Sequence, residues 1–183
     1  MYMLQKTDLL ERRRRKMLHI APERQISRLL RRLKHVDYLS ADLSDYAMVT
    51  MDITDIQYAD NSFDIIYCSH VLEHVPQDTV ALAELHRVLK PGGWAILQVP
   101  IEGYFDLPVI ETTLEDPTVT EPQQREQLYG QYDHVRRYGR DYKDRLIAAG
   151  FSVNVDAFAR DLTPKDRVRF GIVEEDVYLC SKL

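Results

Sequence analysis

Two aspartates, one histidine-led loop and one His–Arg pair carry the chemistry legible in this sequence. Asp42 closes the apolar run 36–41, and Asp52 falls near the end of the run 48–53, so both are expected at the ends of successive strands. An acid at the first position can accept hydrogen bonds from both hydroxyls of a ribose. An acid at the second can accept one from the amino group of an adenine, with Ile53 packed on the ring. Strand-end aspartates also form turns with their own side chains, so neither residue is diagnostic alone. Farther along stand Asp133, His134 and Arg136. An imidazole beside a carboxylate takes a proton from an oxygen or nitrogen nucleophile near neutral pH. A guanidinium two residues on can grip a substrate carboxylate or phosphate. A solvated polar loop is the plainer reading of the same residues.

The elements that would position these groups alternate between strand and helix. Residues 17–20, 36–41, 48–53, 63–68 and 94–99 read as strands, followed by 151–155 and 177–180. A helix is expected over residues 2–15, ending in four arginines that suit its C-terminal dipole. Ile26, Leu29, Leu30 and Leu33 form the stripe of a second helix. A third opens at Pro76 to Thr79 with Asp78 as N-cap, carries Leu82, Leu85, Val88 and Leu89, and stops at Lys90-Pro91-Gly92-Gly93. A fourth spans 140–149 and closes at Gly150. Phe63 and Ile65 are expected on one side of the central strand. Residues 101–139 show little periodicity and read as a long insertion over the substrate, and insertions of that length usually serve function. Alternation at this spacing indicates βαβ units and a parallel sheet. The expected fold is a single α/β domain over 1–183, a doubly wound three-layer sandwich with a mostly parallel seven-stranded sheet. Ligands of such sheets bind outside the carboxyl ends of the strands, which brings His19 to Glu23, Asp42, Asp52-Ile53 and Ser69-His70 into consideration.

Composition is that of an ordinary globular chain, 45% hydrophobic and 29% charged over 183 residues. No apolar run reaches the roughly 18 residues of a membrane span. Residues 1–16 are too polar for a secretory leader. Cys68 and Cys180 are too few and too far apart for a disulfide framework or a cysteine zinc site. A reducing, cytoplasmic setting is expected. Residues 1–36 hold eleven Lys/Arg against three Asp/Glu, a net +8, so the remainder carries −13 of the overall −5. No aromatics interleave the basic run, which favours a solvated helix face over a nucleic-acid surface. The terminal Ser181-Lys182-Leu183 spells a peroxisomal address and is read as the end of the last strand.

The runs Asp60 to Ile66, His70-Val71-Leu72-Glu73-His74 and Glu84 to Gly93 resemble the central signature of class I S-adenosylmethionine-dependent methyltransferases. The resemblance covers about Met17 to Pro100. It implies a Rossmann-like methyltransferase fold, S-adenosylmethionine as cofactor, Asp42 on its ribose, Asp52 and Ile53 on its adenine, and Ser69 and His70 lining its pocket. The first loop departs from the family pattern Asp-x-Gly-x-Gly-x-Gly. It reads His19-Ile20-Ala21-Pro22-Glu23-Arg24-Gln25, with Ala21, Glu23 and Gln25 at the glycine positions and His19 in place of the acid. Small Ala21 still permits close approach, and Glu23 is placed to meet the amino group or sulfonium side of the cofactor. A narrower resemblance, to a small bacterial-type subgroup, rests on Leu18 to Glu23, Asp52 to Thr54, Val71 to Val75, Leu89 to Ile101, Glu115 to Thr118 and Gly130 to Leu146. There the glycine-poor loop belongs to the subgroup.

The expected activity is methyl transfer to a small-molecule acceptor, with His134 as proton acceptor and Arg136 as substrate anchor, and no metal. His74 and His86 are expected to be packing or surface residues. Two other readings stay open: a methyltransferase-like binding module without cofactor, and an RNA methyltransferase or RNA-binding domain using the basic N-terminal third. No membrane partner is expected.

Overall fold

Parallel strands buried on both faces need long apolar runs joined by crossovers, and the computed structural model of the chain arranges them accordingly. It describes residues 1–11, 13–102 and 107–183; Arg12 of the basic run and residues 103–106 of the insertion lie outside the described residues. Strands β1 (Arg15–Ile20), β2 (Val36–Asp42), β3 (Val49–Thr50), β4 (Phe63–Ser69) and β5 (Leu89–Gln98) are parallel. The pair β6 (Leu114–Glu115) and β7 (Arg136–Arg137) forms a separate antiparallel ribbon. Strands β8 (Ser152–Asp156) and β9 (Val177–Ser181) complete the seven-stranded sheet, whose order is β3-β2-β1-β4-β5-β9-β8, with β9 antiparallel to both neighbours.

Helices α1 (Tyr2–Lys6), α2 (Arg24–Leu30), α3 (Asp78–Val88), α4 (Pro122–Tyr129), α5 (Tyr142–Ala148), α6 (Phe158–Asp161) and α7 (Pro164–Phe170) surround the sheet. One core joins Leu82, Leu85 and Val88 of α3 and Tyr142 and Leu146 of α5 to Leu18, Ile66 and Leu97 of the strands. The other joins Tyr2 and Met3 of α1, Leu30 of α2 and Phe158 of α6 to Met17, Ile65 and Ile96. These are the two outer layers of a doubly wound three-layer sandwich, as expected. Among the described residues, no helix is long and apolar enough to cross a membrane.

Several elements differ from their sequence reading. The N-terminal helix ends at Lys6, not at residue 15. The Thr7 hydroxyl donates to the Met3 carbonyl at 2.6 Å and accepts from the Leu9 amide, opening a single 3-10 turn at Asp8–Leu10. Asp8 then takes the Arg15 guanidinium and the Trp94 indole N–H, the latter at 2.7 Å. Arg15 therefore begins a buried strand instead of ending a helix. β3 keeps only two of its six expected residues. Leu29 is exposed, and Leu30 alone of its stripe is fully buried. Asp78 is the first residue of α3 and not its N-cap, which is Gln77. β5 starts at Leu89, α5 at Tyr142. The register of β4 on β5 shifts between Phe63 and Ile65, so these two residues enter opposite cores. The insertion is not featureless, since it contains β6, α4 and β7. Ser181 ends β9, and Lys182 donates to the Asn61 side chain and the His86 carbonyl, both at 2.9 Å.

The double glycine of β5 has two distinct jobs. Gly92 adopts φ +74 in open space, whereas a Cβ on Gly93 would lie 2.8 Å from the Asp64 carbonyl oxygen and 2.9 Å from that of Lys90. Gly92→Ala should cost about 1–2 kcal/mol for left-handed backbone. Gly93→Ala should cost at least as much, about 1–3 kcal/mol, because backbone atoms cannot swing aside. Urea unfolding of both variants tests this, and a Gly93→Ala protein as stable as the parent would contradict the packing described.

Candidate functional site

The carboxyl ends of β1 to β4 converge on one edge of the sheet. After β1 the chain passes through Ala21, whose φ of +47 is unusual for a residue with a side chain. The Ala21 amide donates to the Ala41 carbonyl at 2.8 Å, which pins this turn to β2. A cavity of about 120 Å³ opens beside it, lined by Ala21, Asp42, Met51, Asp52, Ile53 and Val71 among others. The two aspartates are built alike. Asp42 Oδ1 accepts from the Ser44 amide (2.8 Å) and hydroxyl (2.7 Å), and Asp52 Oδ1 accepts from the Thr54 amide (2.8 Å) and hydroxyl (2.7 Å). Each turn fixes its carboxylate through one oxygen. The turn-forming and ligand-binding readings of these residues are thus compatible.

His19 does not line this cavity. It is fully buried, with Nδ1 at 2.8 Å from the Tyr38 hydroxyl and Nε2 at 2.7 Å from Glu23 Oε2. The Tyr38 and Tyr67 rings stand edge-on to it, with centroids at 5.9 and 5.0 Å. Tyr67 also directs its hydroxyl at Glu23 Oε1, 3.5 Å away. Burial, reinforced by the Glu23 charge, pushes the Tyr67 hydroxyl well above its ordinary range. His19 is therefore the buried post on which the half-exposed Glu23 carboxylate is held at the start of α2.

Ser69 and His70 are placed apart from the aspartates. Ser69 lines a second cavity of about 200 Å³ with Tyr67, Gln98 and residues of α1. His70 has φ +54 and sets Nδ1 at 3.4 Å from Glu73 Oε1. Burial opposes its charge, but the hydrogen bond and charge of Glu73, with Glu175 and Glu23 behind, raise its pKa above the usual imidazole value.

The insertion is fastened to the 3-10 turn Leu72–His74 that follows β4. The Val135 amide donates to the Glu73 carbonyl at 2.9 Å. Arg136 is 3% exposed and donates to the carbonyls of Leu72 (2.9 Å), Val75 and Pro76 (2.9 Å) and to Glu115 (2.9 Å). Its donors hold protein, so the expected substrate anchor is a structural strut. His134 is 2% exposed, with Nδ1 donating to the Tyr129 carbonyl at 3.2 Å and its ring against that of His74 at 4.7 Å. Burial lowers its pKa. An imidazole so enclosed is shielded from solvent, which weighs against its expected role as proton acceptor.

Sequence reasoning also missed Tyr38, Asp78 and Glu73. Asp78 accepts from the Tyr138 hydroxyl at 2.7 Å and from Arg145 at 3.0 Å. Glu73 is 1% exposed, and its Oε2 has no hydrogen-bond partner. The spacing His70-x-x-Glu73-His74 was the available signal for it.

Comparison with known proteins places this geometry. The methyltransferase domain family matches residues 8–97. Demethylmenaquinone methyltransferase of Staphylococcus carnosus is 36% identical over 64 residues, 35% of this chain and 27% of that protein. Its Staphylococcus epidermidis counterpart is 40% identical over 57 residues, 31% of this chain and 24% of that one. The match thus spans about a quarter of these relatives. Among solved structures, an S-adenosylmethionine-dependent methyltransferase from Mesorhizobium loti superposes with a TM-score of 0.60 at 19% identity, covering 93% of this chain and 91% of that one. Phosphoethanolamine N-methyltransferase 2 of Haemonchus contortus, solved with S-adenosylmethionine, gives 0.58 at 12% identity over 93% and 49%. At such identities the likeness is one of fold.

Tyr38→Phe should leave a buried nitrogen of His19 without its partner and destabilise the protein by about 1–3 kcal/mol. Thermal and urea unfolding measure this, and an unchanged midpoint would show that the His19 post is not under that constraint.

Proposed function

Because residues 8–97 match the methyltransferase domain family and the fold superposes on an S-adenosylmethionine-dependent methyltransferase, we propose that the chain is a class I methyltransferase that binds that cofactor at the ends of β1 to β4 and transfers its methyl group to a small-molecule acceptor. The observation that carries the reading is the cavity where Ala21, Asp42, Asp52 and Ile53 meet. Two carboxylates, each steadied through one oxygen, flank an apolar floor that suits a purine face. The residues fit the group. Asp42 binds the ribose hydroxyls, Asp52 accepts from the adenine amino group, and Ile53 covers the ring. Ala21 supplies the left-handed turn that glycine gives elsewhere in the family, at a cost of about 1–2 kcal/mol. Glu23, steadied by buried His19 and by Tyr67, takes the ammonium of the methionine portion. Ser69 and His70 border that portion. The bound cofactor supplies a methyl already activated on sulfonium, so the protein contributes mainly alignment and proximity. Arg136 acts as a positioning residue, clamping the insertion beside the strand ends.

S-adenosylhomocysteine should bind with measurable heat and raise the melting temperature, with about 2.7 kcal/mol of added stability at a hundredfold excess over Kd. Neither heat nor a shift at millimolar ligand would remove the enzyme reading and favour a binding module. Asp42→Asn keeps an acceptor for Ser44 but loses the charge. Losing one charge-assisted contact of about 1.5–3 kcal/mol should weaken the ligand at least tenfold with little change in stability. Unchanged affinity would reduce Asp42 to a turn residue.

A further inference from the structure

The 3-10 turn after β4 and the buried end of the insertion bring Glu73, His74 and His134 together, with one ligand-capable atom from each lying within 4.8 Å of the others. Glu73 is 1% exposed, and Oε1 faces His70 at 3.4 Å while Oε2 has no hydrogen-bond partner. A buried acceptor left unpaired costs about 1–3 kcal/mol, more for a charged group. Something therefore belongs opposite that oxygen.

The histidines indicate what it is. The Tyr129 carbonyl can only accept, so the His134 Nδ1 bonded to it must carry a proton. That fixes the ring's orientation and directs the Nε2 lone pair away from the carbonyl. His74 Nδ1 faces Asp133 Oδ2 at 3.4 Å, again directing Nε2 to the other side. Imidazoles held through Nδ1 by a carbonyl or a carboxylate are the usual supporting arrangement of metal-ligating histidines. The cluster is also fixed from outside, by the Val135 amide on the Glu73 carbonyl and by Arg136 on the carbonyls flanking the turn.

We propose that Glu73, His74 and His134 form a binding site for one divalent transition-metal ion, with zinc as the expected occupant. Two imidazoles and one carboxylate are a zinc ligand set that leaves a further position for water or substrate. Zinc at about 2.0–2.2 Å from each ligand would draw the three donor atoms to roughly 3.3 Å apart. The closure from the present spacing is of the order of an ångström, within reach of side-chain rotation because the backbone already holds the three residues together. Bound there, the ion ties the insertion to the end of β4, next to His70. The proposal departs from the expectation of no metal and would give His134 a ligand's role. The proposal does not depend on methyl transfer, and its test reads the metal and not turnover.

The protein is stripped with chelator, titrated with zinc by calorimetry, and analysed for bound metal. About one zinc per chain and a raised melting temperature are expected. His74→Ala, which alters the most exposed of the three ligands, should weaken zinc by at least tenfold. Asp133→Asn alters a half-exposed side chain, and should weaken it by about tenfold to a hundredfold through the orientation of His74. His35→Ala, whose ring contacts the Leu9 carbonyl far from this cluster in sequence, should not change it. Zinc well below one per chain with no thermal shift would overturn the proposal. So would zinc affinity unaltered in both His74→Ala and Asp133→Asn.

Discussion

One buried guanidinium holds the working edge of this molecule together. Arg136 is desolvated, and such a charge is tolerated only when its donors are matched. The carbonyls of Leu72, Val75 and Pro76 and the carboxylates of Glu115 and Asp78 surround it. Arg145 of α5 shares both carboxylates. Burial would raise the Glu115 carboxyl, but hydrogen bonds from Arg145 and Arg136 outweigh it and hold its pKa below the ordinary value. The turn, the ribbon of β6 and β7, and helices α3 and α5 are thus joined through one charge network. The groups at the end of β4 keep their places because this network does.

How much was legible in the sequence follows from where each signal resides. Long apolar runs bounded by turn residues gave β1, β2, β4 and β5 because burial on both faces demands such runs. Asp42 and Asp52 were legible because a strand end fixes a position without any knowledge of partners. The N-terminal helix was overextended because its arrest depends on the Thr7 hydroxyl and on Asp8 meeting Arg15 and Trp94, the last being 86 residues away. β6 and β7 have two residues each, too short for any period. Arg136 looked like an anchor because its partners are mainly backbone carbonyls, which leave no trace in residue types. His19 looked like a cofactor contact because Tyr38 and Tyr67 approach it from neighbouring strands.

In the proposed reading, the glycine-poor loop carries a family function on different residues. Glycine ordinarily provides both a left-handed backbone and room. Here Ala21 adopts the backbone and its small side chain preserves most of the room, while the loop's rigidity comes from the His19–Glu23–Tyr67 arrangement beneath it. Flexibility at the loop is exchanged for a post sunk into the sheet. In the reading proposed above, the cofactor's polar end meets a preset carboxylate and not a bare backbone.

The placement of β9 between β5 and β8 determines how this chain can be assembled as it is made. Among the described residues, β8 pairs with β9 alone, and the second edge of β5 is closed only by β9. Until residues 177–181 are available, both edges offer unpaired amides and carbonyls to any other strand. Contacts of such separation also form slowly. Residues up to 181 must therefore be available before this side of the sheet can close. During synthesis the half-built domain is thus open to wrong pairing along the free side of β5.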